Sequence, residues 1–313
     1  MTLADLVPDT ATLTARLADA GYLADPGLAA SLFCAVRLPQ PLLLEGEAGV
    51  GKTQAAKSLA QVLDTPLLRL QCFEGIDASE ALYEWNYPRQ LLGIRLAEAQ
   101  GKDLAEETLF DEQYLVRRPL MQALEHPGPR PAVLLIDEVD RADEEFEAFL
   151  FELLAESSVT IPELGTIRAT HPPVVILTSN RTRDLHDALK RRCLYHWIDY
   201  PPLAQAIAIV RARVPEAGPD LAEQVAGAVA RIRTLDIQKP PGVAEAIDWL
   251  HAASLLGLDS LDEAGVAATL GSVLKYREDH DVARAAGLRW IADPARAATQ
   301  AAEDVRDAPA RFG

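Results

Sequence analysis

Two short stretches combine residue types suited to phosphate chemistry. Gly46, Glu47, Ala48, Gly49, Val50, Gly51, Lys52 and Thr53 fit the pattern G-x-x-x-x-G-K-[ST]. Glycines let backbone N–H groups approach phosphate oxygens with no Cβ in the way. Lys52 places a point charge for β- and γ-phosphates, and the Thr53 hydroxyl suits Mg2+. The second stretch is Asp137-Glu138, directly after the apolar run 132–136. Asp137 would orient Mg2+ and its waters, and Glu138 would polarise an attacking water. The chemistry expected is binding and hydrolysis of ATP. The plainer alternatives are a glycine turn with an exposed lysine and a solvated acidic strand end. A strand before the glycine loop and a helix after it argue against the first. The apolar run and the upstream loop argue against the second.

These residues need a scaffold that brings strand ends together. Short apolar runs alternate with helical patterns, which predicts βαβ units around a parallel sheet. Strands are expected at 42–44, 66–71, 132–136, 174–177 and 195–199. A helix is expected over 52–63, with Ala55, Leu59 and Leu63 on one face. Phe146, Phe149, Leu150, Leu153 and Leu154 give amphipathic spacing to another. Two β-branched runs around Gly165 predict a hairpin over 159–168. From Leu203 onward the pattern is helical only, with helices expected around 221–232, 243–256 and 266–276. The expected division is 1–201, 202–292 and a tail, 293–313, rich in alanine and charge. No internal repeat is visible.

The stretch 46–53, Leu134-Leu135-Ile136-Asp137-Glu138-Val139-Asp140-Arg141-Ala142 and Leu177-Thr178-Ser179-Asn180 resemble the Walker A, Walker B and sensor-1 motifs of AAA+ ATPases. The Asp-Glu-x-x-Arg-Ala form is similar to the MoxR branch. Within it the chain resembles the CoxD-type subgroup, encoded beside molybdenum hydroxylases such as carbon monoxide dehydrogenase. Supporting strings are Leu70-Gln71-Cys72-Phe73-Glu74-Gly75, Ala81-Leu82-Tyr83-Glu84-Trp85, Ile161-Pro162-Glu163-Leu164-Gly165 and Lys239-Pro240-Pro241-Gly242-Val243. The resemblance spans about 21–277, most of the chain. It implies an α/β fold: a P-loop AAA+ core with a five-stranded parallel sheet, helix-2 and pre-sensor-1 hairpin insertions, then an α-helical lid.

The same resemblance implies roles. Asn180 becomes sensor 1, holding the lytic water or the γ-phosphate. An arginine finger, donated to the neighbouring subunit's ATP, falls on Arg192, with Arg191 as the alternative; basic residues also simply favour a helix C-terminus. Arg141 either contacts an adjacent subunit or is solvated. Adenine is expected near Gly21-Tyr22-Leu23-Ala24. Residues 73–119 exceed a plain connection, and Tyr83, Trp85 and Tyr87 there either pack as core or grip a client. One departure stands out: the string 240–243 has no sensor-2 arginine, and Lys239 is the one substitute at hand.

The net charge of −17 disfavours nucleic acid and anionic lipid. No apolar stretch reaches membrane-spanning length, and 1–5 lacks the basic start of a signal peptide. Cys34, Cys72 and Cys193 are far apart, which predicts reduced, mostly buried thiols and a cytoplasmic protein. The histidines, among them His171, His186 and His196, show no zinc spacing. The expected protein is therefore a hexameric, homo-oligomeric ring hydrolysing Mg2+-ATP. By resemblance it remodels a metalloenzyme client with a von Willebrand A-domain partner. A metal-chelatase motor subunit, a nucleotide-gated assembly switch and a nucleic-acid motor are the alternatives.

Overall fold

The computed structural model describes residues 3–38, 40–101, 106–161 and 165–293. Pro162-Glu163-Leu164 of the quoted strings, and all but the first residue of the expected tail, lie outside them. Helices α1 (Leu3–Leu6), α2 (Thr10–Asp19) and α3 (Pro26–Arg37) lead into β1 (Leu42–Gly46). Asp25 caps α3 by accepting the N–H groups of Gly27 and Leu28 at 2.8 and 3.0 Å, and Pro26 needs no donor partner there. Then come α4 (Lys52–Leu63) and β2 (Leu67–Gln71), within a residue of expectation. The long connection folds as α5 (Ala78–Leu82), β3 (Tyr83–Trp85), α6 (Tyr87–Ala99), β4 (Leu115–Arg117) and α7 (Pro119–Leu124). Strands β3 and β4 pair antiparallel, Trp85 opposite Leu115.

Next are β5 (Val133–Asp137), α8 (Glu144–Glu156), the hairpin β6 (Ser158–Ile161) and β7 (Gly165–Arg168), β8 (Val174–Ser179), α9 (Asp187–Arg192) and β9 (Leu194–Ile198). Asp143 caps α8 through the Phe146 N–H at 2.9 Å. Helix α9 is only six residues long, with His186 capping its start. The main sheet has five strands in the order β2-β5-β8-β1-β9. The pairs β2–β5, β5–β8 and β8–β1 are parallel, with Ile136 opposite Leu177 and Leu44 opposite Thr178. Every residue of β1, β5 and β8 is buried, so these strands are apolar on both faces until their C-terminal ends.

The remainder is helical: α10 (Leu203–Arg213), α11 (Pro219–Ile232), α12 (Val243–Leu255), α13 (Glu263–Val273), α14 (Arg277–Ala286) and α15 (Leu288–Ala292). The chain divides into two compact units. One holds the residues up to 16, 24–45 and 53–197; the other holds 17–23, 46–52 and the residues from 198 onward. In the first, Leu134, Ile136, Leu177, Phe146 and Leu150 form the main cluster. In the second, Val225, Val229, Trp249, Leu250 and Leu270 do. Trp249 is fully buried and its indole N–H donates to the Thr269 hydroxyl at 2.6 Å, so its polar edge is satisfied. The loop 46–52 thus groups with the helices rather than with the sheet that delivers it.

Candidate active site

Strand ends supply the acidic half of the site. Asp137 closes β5 and is 2% exposed. Its Oδ1 accepts the Thr178 hydroxyl at 2.5 Å and the Thr53 hydroxyl at 3.0 Å, and Thr53 also reaches Oδ2 at 3.2 Å. The same Thr178 Oγ1 accepts the Glu138 N–H at 2.9 Å. One hydroxyl therefore positions both acidic residues. It can do so because Thr178, one residue past the Ile136–Leu177 pairing, reaches the end of β5. Glu138 has left-handed backbone, φ 56°, which is costly for a non-glycine residue and turns the chain out of the strand. Its carboxylate pairs with Arg141 Nε at 2.8 Å.

Just beyond, buried Asp140 reaches the end of β8. Its Oδ2 accepts the N–H of Asn180 at 3.2 Å, the N–H of Thr182 at 2.8 Å and the Thr182 hydroxyl at 2.7 Å. Asn180 is half-buried at the strand end, and Arg181 after it is again left-handed, φ 56°. Glu45 is buried near the end of β1, where it accepts the Tyr195 hydroxyl at 3.1 Å. Burial first, and Glu45 second, push the Tyr195 phenol above its usual pKa.

The glycine loop 46–52 belongs to the other unit. Lys52 is 7% exposed, and its Nζ donates to the carbonyls of Gly46 and Glu47 at 2.6 and 2.7 Å. The loop is thus curled around its own ammonium. Gly49 has φ 78°, and its carbonyl accepts the N–H groups of Val243 and Ala244 at 3.1 and 3.2 Å. Tyr22, from the string expected near adenine, flanks Gly51: a Cβ there would sit 3.6 Å from its ring. The Arg233 guanidinium lies 4.2 Å over the Tyr200 ring, and its Nε donates to the Pro241 carbonyl at 2.6 Å. Burial lowers the Arg233 pKa; burial, then the nearby Glu47 charge, raises that of Tyr200. Beside them runs a small cavity of about 170 Å³, lined by Val229, Ala230, Arg233, Val243 and Ala246 among others.

Residues 41–193 match the family described as AAA domain, dynein-related subfamily. The matched segment is just under half of the chain. Uncharacterized proteins of Staphylococcus aureus, from the bovine strain RF122 and from strain COL, are each 27% identical over 169 residues, covering 52% of this chain and 57% of theirs. The chain thus spans little more than half the length of these relatives. Among solved structures, the RuvB Holliday junction branch migration motor of Thermotoga maritima superposes with a TM-score of 0.45 at 17% identity, covering 78% of this chain and 66% of that one. A RuvB mutant superposes with a TM-score of 0.47 at 16% identity, covering 79% and 69%.

Within the matched segment, Thr178 bonds both Asp137 and Glu138, and Thr53 bonds Asp137. Asn180 is tied to the same turn through Asp140. Arg191 and Arg192 are exposed at the end of α9, and Arg192 lies 4.6 Å over the Phe151 ring. Trp85 is 7% exposed and packs with Tyr114 and Met121, while Tyr87 is 66% exposed. The aromatic trio is therefore split between core and surface. Beyond that segment, Lys239 is exposed and its backbone N–H bonds Asp279 at 3.3 Å. The basic residue beside Pro241 is Arg233 instead. Sequence reasoning missed Thr178, Asp140 and Arg69, although all three lie within or beside the quoted motifs. It also missed Tyr200 and Arg233, for which no local pattern exists.

Proposed function

We propose that this chain is a MoxR-type AAA+ ATPase that hydrolyses ATP at sites shared between subunits of a hexameric ring. The observation that carries this is the Thr53–Asp137–Thr178–Glu138 cluster, one peptide bond from the phosphate loop. The residues present fit Mg2+-ATP. Thr53 would offer a cation one hydroxyl and Asp137 one carboxylate, the oxygen donors that Mg2+ prefers. The loop has glycine at the close approach and a buried ammonium that donates to two loop carbonyls. Gly46, Glu47, Ala48, Gly49, Val50 and Gly51 would cradle the phosphates through their backbone, and Lys52 would exchange its loop carbonyls for phosphate oxygens. Thr53 and Asp137 would hold Mg2+, which supplies neutralisation of the transferred phosphoryl charge.

Glu138 would leave Arg141 to take the proton side of the attacking water. Asn180 would fix that water or the terminal phosphate from the end of the neighbouring strand β8. Arg192, parked on Phe151 in one subunit, would act on the neighbour's ATP, with Arg191 as the alternative. The client we propose is a metalloenzyme undergoing cofactor maturation, with a von Willebrand A-domain partner and no nucleic acid, in the cytoplasm. The Glu138–Arg141 pair favours a second reading, a nucleotide-gated switch with slow turnover, because it engages the activating carboxylate.

Phosphate release and nucleotide binding separate the two. Glu138→Gln is expected to keep ATP affinity and lose about 10²–10⁴-fold in turnover, the usual share of a general base. Wild-type turnover no faster than this variant would remove the motor and leave the switch.

A further inference from the structure

The Asp137 carboxylate carries a partner that metal binding does not need. Arg69, in the middle of β2, places Nη2 2.6 Å and Nε 2.9 Å from Asp137 Oδ2. The same guanidinium also bonds the Gln71 side-chain oxygen. Strand register explains the reach: Gln71 stands opposite Asp137, and Arg69 lies two residues back, so both side chains leave β2 on one face. With Thr178 and Thr53 on Oδ1 and Arg69 on Oδ2, both carboxylate oxygens are engaged.

We propose that Arg69 is a displaceable counter-ion that holds Asp137 when no divalent cation is bound and thereby sets how much Mg2+ the site requires. This rests on the assignment of Thr53 and Asp137 to the metal side of the site. A carboxylate 2% exposed is costly to leave unpaired. Arg69 supplies the pairing charge in the metal-free state. A guanidinium and a dication on one carboxylate repel each other, so binding Mg2+ expels Arg69. The arginine can leave easily: its side chain is 47% exposed, and a long flexible stem leads to solvent. The two ligands of Asp137 are therefore coupled negatively, as linkage demands of any competing pair.

The test uses the full chain and Mg2+ as the probe. Thermal melting is followed across a Mg2+ titration at a fixed, saturating concentration of a non-hydrolysable ATP analogue. Arg69→Gln is expected to lower the half-saturating Mg2+ concentration by about tenfold, within the usual range of coupling between two ligands. Arg69→Lys keeps the charge without the two-pronged geometry and should fall between the two. If Arg69→Gln folds poorly, that lysine variant still decides the matter. An unchanged or raised Mg2+ requirement in both variants overturns the proposal. So does a loss of metal-free nucleotide affinity in Arg69→Gln with the Mg2+ requirement unchanged, which would place Arg69 on the phosphates. Asp137→Asn serves as the separate control. If that variant leaves the Mg2+ dependence intact, the assignment of Asp137 itself fails, whatever Arg69 does.

Discussion

Gly242 stands against Gly49 with no room for a side-chain carbon between them. A Cβ on Gly242 would lie 2.8 Å from the Gly49 carbonyl carbon and 2.9 Å from the Ala48 oxygen. These atoms are backbone and cannot swing aside. Glu245 closes the contact by accepting the Gly242 N–H at 2.8 Å. The start of α12 is thus bonded to the phosphate loop at the place where the sequence lacks a sensor-2 arginine.

Gly242→Ala should therefore act on the loop. The forced contact is expected to cost about 1–3 kcal/mol, the usual range for overpacking. ATP affinity should fall with it, because Gly49 must move. Gly271→Ala is the matched control: nothing lies within 4 Å of a Cβ there, and alanine within α13 should stabilise by roughly 0.5–1 kcal/mol. Melting curves and equilibrium nucleotide binding on both variants check this. Equal effects of the two would contradict it.

Asp140 is the joint between the Glu138 turn and Asn180. Removing its carboxylate strands two N–H groups and one hydroxyl. Asp140→Ala should lose about 2–4 kcal/mol of stability and lower kcat far more than it weakens ATP binding. Asp140→Asn should restore both. An amide oxygen can replace Oδ2, and its NH2 would take the place of Oδ1, which has no hydrogen-bond partner among the described residues. A fall in ATP affinity matching the fall in kcat would argue for general unfolding instead.

The shared-site proposal predicts complementation. Lys52→Ala and Arg192→Ala proteins should each be inactive alone. An equal mixture should recover up to about a quarter of wild-type turnover, since random assembly in a symmetric ring leaves that share of interfaces intact. No recovery on mixing, with exchange of subunits shown by native mass measurement, would count against Arg192. Phe151→Ala, which removes the ring under Arg192, should shift activity without touching ATP affinity.

Two thiols should be inert and pH-linked. Burial, then the charges of Asp137, Asp140 and Glu138, push the Cys72 thiol up to about 12. Burial alone does the same for Cys193, up to about 12. At pH 8 their thiolate fraction is about a thousandfold below that of an exposed cysteine, so a thiol-selective reagent should label them only on unfolding. In the unfolded chain they ionise near 9.0, so the unfolded state sheds protons first. Their stabilisation is complete below pH 9 and declines as pH rises from 9 to about 12. Denaturant melts in that window, compared with Cys72→Ala and Cys193→Ala, measure the slope.

Local pattern was enough for much of the chain. The spacing in 46–53 and the apolar run into Asp137 placed the loop, α4 and β5, because phosphate binding and strand burial each impose a sequence-local pattern. Helix α4 begins at Lys52 and ends at Leu63, as its periodicity requires. The order of strands, and hence the meeting of Thr178 with Asp137 and Glu138, depends on which chains lie side by side. Pairings 40 residues apart leave no mark in any short window. The same holds for Arg69, which is one charged residue in a strand until β2 packs beside β5. Gly242 sits in a quoted string, but its need for a bare Cα comes from Gly49, 193 positions away in the chain. Sequence alone determined that this protein has a glycine-rich loop ending in Lys52 and Thr53 and an acidic strand end. Only the tertiary structure decided which side chains hold that acid and which helix holds that loop, because both contacts depend on distances in space, which chain order does not encode.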